Sequence, residues 1–231
     1  MAELVRQLVL DLPVEPRFGP EDFLVGPSNA AAHARIEAWP DWPGRLLRLE
    51  GPAGSGKSHL AAIWASKAGA RTVLAADVAA PEVPLLVEAG ALAIEDLDGG
   101  SLDERAMFHL LNLARERDVS ILLTSQAGAD RLGLRLPDLL SRLRLAPSVA
   151  LEPPDDALLR AVLVKLFHDR QLAVDTSVVE YLLARMERSL ARVGAVVAAL
   201  DREALSRGRR VTRPMASALL AEQGELADGD C

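Results

Sequence analysis

The eight residues GPAGSGKS at 51–58 combine glycines, a lysine and a hydroxyl in the spacing G-x-x-x-x-G-K-[ST]. Each residue type has a use toward a phosphate chain. Glycine lets the loop Gly51, Pro52, Ala53, Gly54, Ser55 and Gly56 wrap closely and turn backbone N–H groups inward. Lys57 can reach β- and γ-phosphates, the Ser58 hydroxyl can ligate Mg²⁺, and a helix starting at Lys57 adds a partial positive charge. A second pattern, ALAIEDLD at 91–98, ends an apolar run in acids. Ligands of open α/β sheets bind at the carboxyl ends of strands. Glu95 and Asp96 are therefore candidates for associating with Mg²⁺ and polarising a water. Asp98, further along, reads as solvated. The chemistry implied is nucleotide binding.

Such a loop needs a strand before it and a helix after it, and the flanking residues supply both. RLLRLE at 45–50 reads as a strand, and a helix is expected from Lys57 to about Lys67. The alternation continues with strands near 72–75, 91–95, 119–124 and 148–151, and helices near 29–39, 83–88 and 103–117. Strands alternating with helices predict a five-stranded parallel sheet covered on both faces. After LEPPDD only helical periodicity remains, over 155–170, 175–188, 189–206 and 213–222, with Asp175, Ser189 and Thr212 as start signals. The expected organisation is a leader at 1–17, an α/β domain at 18–152, a helical domain at 153–224 and a tail at 225–231.

The bulk numbers narrow the class. Apolar residues make up 50% of the 231 and charged residues 26%, as in an ordinary soluble globular protein. A net charge of −7 argues against a broad cationic grip on DNA, so strong direct DNA binding is not expected. No apolar run approaches the roughly 20 residues of a membrane span, and the first residues lack the features of a secretory signal. The one cysteine, Cys231, excludes a disulfide within the chain. His33, His59, His109 and His168 form no recognisable ligand set. A cytoplasmic protein without membrane contact is expected.

With these motifs in place the chain resembles the AAA+ ATPases, and within them the DnaA-type replication initiators and their regulators. FLVGPSNAAAHA (23–34) is similar to the family's stretch before the first sheet strand, and GPAGSGKSHLA (51–61), with His59 and Leu60, to its P-loop. ILLTSQ (121–126) resembles the sensor 1 strand and LPDLLSRL (136–143) the box VII segment. The resemblance implies an α/β P-loop fold with a five-stranded parallel sheet and an all-helical C-terminal lid. It also implies ADP or ATP with Mg²⁺ at Ser58 and Glu95, and a nucleotide contact by His59. Arg142 would be an arginine finger acting on a neighbouring subunit's nucleotide, with Arg144 as its confusable neighbour. Sensor 2 would be Arg188 or Arg192, which share a helix face at i, i+4, and sensor 1 would fall near Gln126, beside Ser125. One departure matters: the general order of the two acids is Asp then Glu, whereas here Glu95 precedes Asp96. Asp96 is a methylene shorter than the usual water-orienting Glu, so weak intrinsic hydrolysis is expected.

Within the family the chain looks most like the Hda regulators. RQLVLDLP at 6–13 resembles their sliding-clamp docking motif, with Gln7 for a polar pocket, Leu10 and Leu12 for an apolar one and Leu8 along the rim. The resemblance implies docking to the DNA polymerase III β sliding clamp and stimulated hydrolysis of ATP held by the DnaA initiator, with a homodimer left open. A helicase loader of the DnaC or IstB kind and a truncated initiator are the alternatives.

Overall fold

The computed structural model describes residues 19–227. The clamp-type motif at Gln7, Leu8, Leu10 and Leu12 lies outside the described residues, as does Cys231. The chain divides between Pro153 and Pro154 into two compact units. In the first run α1 (Ala30–Glu37), β1 (Leu46–Glu50), α2 (Lys57–Ala68), β2 (Arg71–Leu74), α3 (Val83–Val87), β3 (Ala91–Glu95), α4 (Glu104–Glu116), β4 (Ser120–Ser125), α5 (Pro137–Leu145) and β5 (Ser148–Ala150). The second holds α6 (Asp156–Asp169), α7 (Thr176–Leu183), α8 (Leu190–Arg207) and α9 (Arg213–Ala227). No helix among the described residues is long and apolar enough to cross a membrane.

All strand pairs are parallel and the spatial order is β2-β3-β4-β1-β5. Alternate side chains of one strand serve opposite cores, as the period of two requires. Leu92 and Ile94 of β3 join Ile121 and Leu123 of β4 in a core with Leu110 of α4 and Leu139 and Leu143 of α5. Ala91, Ala93, Leu122, Leu47 and Leu49 face the other core, with Ile36 of α1 and Leu60 and Trp64 of α2. Trp42 stacks on Trp64 at 5.1 Å, and its indole N–H donates to Arg35 O at 2.7 Å, pinning the 38–45 turn to that face.

The helices differ from the sequence expectation at two points. No helix was expected at 137–145, yet α5 forms there, with Pro137 at its first position, where a missing N–H costs nothing. Leu139 and Leu143, one turn apart, are fully buried and hold so short a helix in place. The single helix expected over 175–188 stops at Leu183, because the Arg185 and Met186 N–H groups both turn back onto Leu182 O.

The helical unit has its own core, in which Leu163, Phe167, Val178, Leu182, Val193, Val197 and Leu200 pack together. Its helices begin at side-chain caps. Asp155 accepts from Leu158 N–H at 2.7 Å, Asp175 from Ser177 N–H at 2.8 Å and Ser189 from Arg192 N–H at 3.3 Å. Each cap of this kind contributes ~1 kcal/mol.

Candidate nucleotide-binding site

The order β3-β4-β1 puts three carboxyl ends side by side, and the candidate site is built on them. β1 runs straight into Gly51. A Cβ there would sit 2.5 Å from Leu151 O and 3.0 Å from Ser55 Oγ, so only glycine lets the loop leave the sheet this close to its neighbour. Gly54 and Gly56 take positive φ values of 69° and 103°, the left-handed region that glycine enters without a Cβ clash. α2 then starts at Lys57 with no side-chain cap on its first-turn N–H groups. Orphan N–H groups and the helix dipole together favour an anion at this end.

The Lys57 side chain lies back across the loop, donating from Nζ to Gly51 O at 2.7 Å and Pro52 O at 2.9 Å. Burial pushes its pKa below the ordinary lysine range, and the Asp98, Asp96 and Glu95 carboxylates pull the other way, Asp98 most strongly. The Ser55 hydroxyl is buried inside the loop without a hydrogen-bond partner. A donor left unsatisfied in this way, beside a loop of uncapped N–H groups, fits a phosphate chain. Ser58 is exposed at the start of α2 and Glu95 half-buried at the end of β3. Among the described residues no group of three or more His, Cys, Asp or Glu could hold a metal. Ser58 and Glu95 could hold Mg²⁺ only in company with phosphate oxygens and water, which is how that ion is usually bound.

The acidic edge differs from the sequence expectation at Asp98. Asp96 has a left-handed φ of 59°, and this bend turns the chain from β3 onto the end of β4. The Asp96 N–H donates to Thr124 Oγ1 at 3.1 Å and the Leu97 N–H to Thr124 O at 3.0 Å. Asp98 then accepts the Gln126 N–H at 2.7 Å through Oδ2, while its Oδ1 is buried without a partner. It is thus part of the site rather than solvated. Gln126, expected near sensor 1, has an exposed side chain and is held by its backbone, beside Thr124 and the buried Ser125. Gly51 N–H donates to Ser125 O at 3.2 Å, so β4 ties both motifs to one edge.

Sequence reasoning also missed a charge pair beneath the loop. Arg48, only 5% exposed, meets Glu50 at 2.5 Å between Nη1 and Oε1. The two residues alternate with Leu47 and Leu49 and so share a face, and their i, i+2 spacing was the signal available. His59 is engaged with the segment before α1: its Nε2 lies 3.1 Å from Gly19 O and its ring packs edge-on to Phe23. Pro52 and Ala53 are exposed at the tip of the loop.

The remaining candidates lie elsewhere. Arg142 lines a cavity of about 1290 Å³ together with Leu46, Val119 and Pro147, which mark the amino ends of β1, β4 and β5. That is the edge of the sheet opposite Lys57, a strand length of ~17 Å away. Its guanidinium lies over the Phe108 ring at 5.6 Å and donates to Leu111 O at 3.3 Å, both on α4. Arg144 is exposed and donates from Nε to Asp130 Oδ1 at 2.6 Å. In the helical unit, Arg188 pairs with Asp156 at 3.1 Å. The Arg192 guanidinium makes no hydrogen bond or ion pair among the described residues, its backbone N–H alone being held by Ser189.

Residues 156–220 match the family described as "Hda, lid domain". The chain is 28% identical over 206 residues to the chromosomal replication initiator protein DnaA of Thermomicrobium roseum, covering 77% of this chain and 43% of that protein. It thus spans less than half the length of that relative. Domain III of the Thermotoga maritima replication initiation protein DnaA superposes with a TM-score of 0.78 at 21% identity, covering 91% of this chain and 98% of that one. A replication initiator DnaA bound to AMPPCP and single-stranded DNA superposes at 0.66 and 22% identity, covering 84% of this chain and 68% of that one. These structures share the fold of this chain, a parallel five-stranded α/β core followed by a helical C-terminal region, and the helical unit is similar to the Hda lid domain.

Proposed function

We propose that this DnaA-related AAA+ protein is a cytoplasmic regulator of chromosome replication initiation, which stimulates hydrolysis of ATP held by the DnaA initiator. The observation that carries the reading is the place of Arg142. It sits on the sheet edge opposite its own P-loop, so a phosphate it reaches belongs to another molecule. An arginine supplied in trans neutralises charge developing on the phosphates and is worth ~10³–10⁵ in rate.

In this reading the chain's own loop, Gly51 to Ser58, holds ADP or ATP, with Mg²⁺ shared by Ser58, Glu95 and the phosphates. Asp96 is too short to place water well, and a misplacement of about 1 Å can cost on the order of 10²-fold. The resident nucleotide is then structural, and turnover happens on the partner. Within the helical unit, Arg192 is the better sensor 2 candidate because Arg188 is held by Asp156. The leader, through Gln7, Leu8, Leu10 and Leu12, docks on the β sliding clamp and concentrates the protein where DnaA–ATP must be switched off.

The test is hydrolysis of DnaA-bound ATP with purified chain, with and without clamp loaded on DNA. Arg142→Ala is expected to bind nucleotide like the wild type and to lose the stimulation. Full stimulation by Arg142→Ala would overturn the finger assignment. Rapid ATP turnover by the chain alone would favour a self-sufficient ATPase of the helicase-loader kind.

A further inference from the structure

The helical unit carries a charge feature that neither the nucleotide site nor the finger uses. Between 202 and 213 stand Arg202, Arg207, Arg209, Arg210 and Arg213, against one acid, Glu203, in a chain whose net charge is −7. Arg207, Arg209 and Arg210 line one cavity of about 340 Å³ with Thr212, Pro214 and Met215, where the turn after α8 meets the start of α9. Next to it, the guanidiniums of Arg213 and Arg185 lie over the Tyr181 ring at 4.9 and 4.2 Å. Arg207 pairs with Glu203. Arg185, Arg209, Arg210 and Arg213 have no carboxylate partner among the described residues, and the first turn of α9 supplies no acid. Elsewhere in this unit Arg160 pairs with Glu180, Arg170 with Asp201 and Arg188 with Asp156, whereas Arg192 and Arg202, unpaired among the described residues, neither line this cavity nor lie over the Tyr181 ring.

We propose that this arginine-lined cavity on the helical unit is a contact site for the phosphate backbone of duplex DNA. Guanidinium forks match phosphate oxygens bidentately, and grouping several of them without acids builds repulsion that a polyanion relieves. Proteins that read single strands offer free aromatic platforms for bases. The aromatic ring of this patch, Tyr181, is already occupied by two guanidiniums, which favours backbone contact over base stacking. The acidic remainder of the chain repels DNA, so the contact is weak in isolation. It gains effect when the protein is held near DNA by another contact, since tethering replaces bulk concentration by a local one. The site goes beyond the regulatory reading above and does not depend on it.

The experiment is anisotropy of a fluorescent DNA duplex titrated with the full chain at salt concentrations rising from ~50 mM, without clamp or DnaA. The four unpaired arginines at the cavity and the Tyr181 ring, Arg185, Arg209, Arg210 and Arg213, predict a log–log salt slope of about −3.6. Replacing two of them, Arg209→Ala with Arg210→Ala, is expected to weaken binding and bring the slope to about −1.8. The control is Arg71→Ala with Arg105→Ala, equal in charge change but exposed on the α/β unit. It is expected to bind as wild type. Circular dichroism and thermal denaturation of all variants report that each is folded. The proposal is overturned by no duplex binding at ~50 mM salt, by equal loss in both double variants, or by a single strand binding more tightly than the duplex. Displacement by inorganic phosphate at a matched phosphate concentration overturns it too, because the cavity would then be a free-anion pocket.

Discussion

On the proposed reading of Arg142 as a finger acting in trans, Phe108→Leu should make the protein a better activator of DnaA–ATP hydrolysis. In this structure the Arg142 guanidinium is stored on its own domain by two contacts, the Phe108 ring at 5.6 Å and Leu111 O at 3.3 Å. Arg142 is half-buried, where a cation–π contact is worth ~0.5–1 kcal/mol. A hydrogen bond of 3.3 Å is longer than the usual range and adds about 0.5–1 kcal/mol. Together they hold the finger by ~1–2 kcal/mol, which leaves it free in roughly 3–15% of molecules. Leucine keeps an apolar contact against α5 but has no ring quadrupole, so the free fraction should rise about 2–5-fold. The assay is DnaA–ATP hydrolysis at limiting concentrations of this protein. The half-saturating concentration should fall about 2–5-fold with an unchanged plateau. Adding Arg142→Ala should erase the gain. An unchanged or higher half-saturation in a variant of normal thermal stability would show that Phe108 does not hold the finger back.

Two further outcomes follow from buried charges. Lys57 titrates below its ordinary range because of burial. Between its folded and unfolded pKa values the unfolded chain holds more protons, so stability rises with pH through that window. Lys57→Met should flatten that rise in thermal denaturation at alkaline pH. Nucleotide phosphates should push the pKa back up, so binding by the wild type takes up protons on the alkaline side. Calorimetry in buffers of different ionisation enthalpy reads this, and zero uptake would contradict it. For the second pair, Arg48→Leu strands the Glu50 carboxylate, whose side chain is only 20% exposed, and should cost ~3 kcal/mol. Arg48→Leu with Glu50→Leu should restore stability to within about 1 kcal/mol of wild type or exceed it. A double variant as unstable as the single would show that the pair itself stabilises the sheet.

What was legible in the sequence was local, and what was hidden depended on spatial order. The P-loop could be read because its glycines, lysine and hydroxyl work within one turn of chain. The strands could be read because central parallel strands, buried on both faces, keep near-continuous apolar runs such as Leu92–Ile94 and Ile121–Leu123. Asp98 could not, because its partner Gln126 lies 28 positions away and meets it only after Asp96 adopts a left-handed backbone that no residue pattern announces. Arg48 carried no signal of its own within RLLRLE, since its burial depends on helices that cover that face of the sheet. The helix α5 was too short to show a period, and Leu139 and Leu143 became diagnostic only once packed. The place of Arg142 is the sharpest case. Chain order puts LPDLLSRL after ILLTSQ and says nothing about edges. In the order β2-β3-β4-β1-β5 the ends of β1, β3 and β4 carry the nucleotide loop and the acids at one edge, and the helix that leads into β5 must lie toward the other. The separation of Arg142 from Lys57 is therefore a property of topology. A chain with the same motifs but a helix in place of β5's return would have no reason to keep its arginine from its own nucleotide.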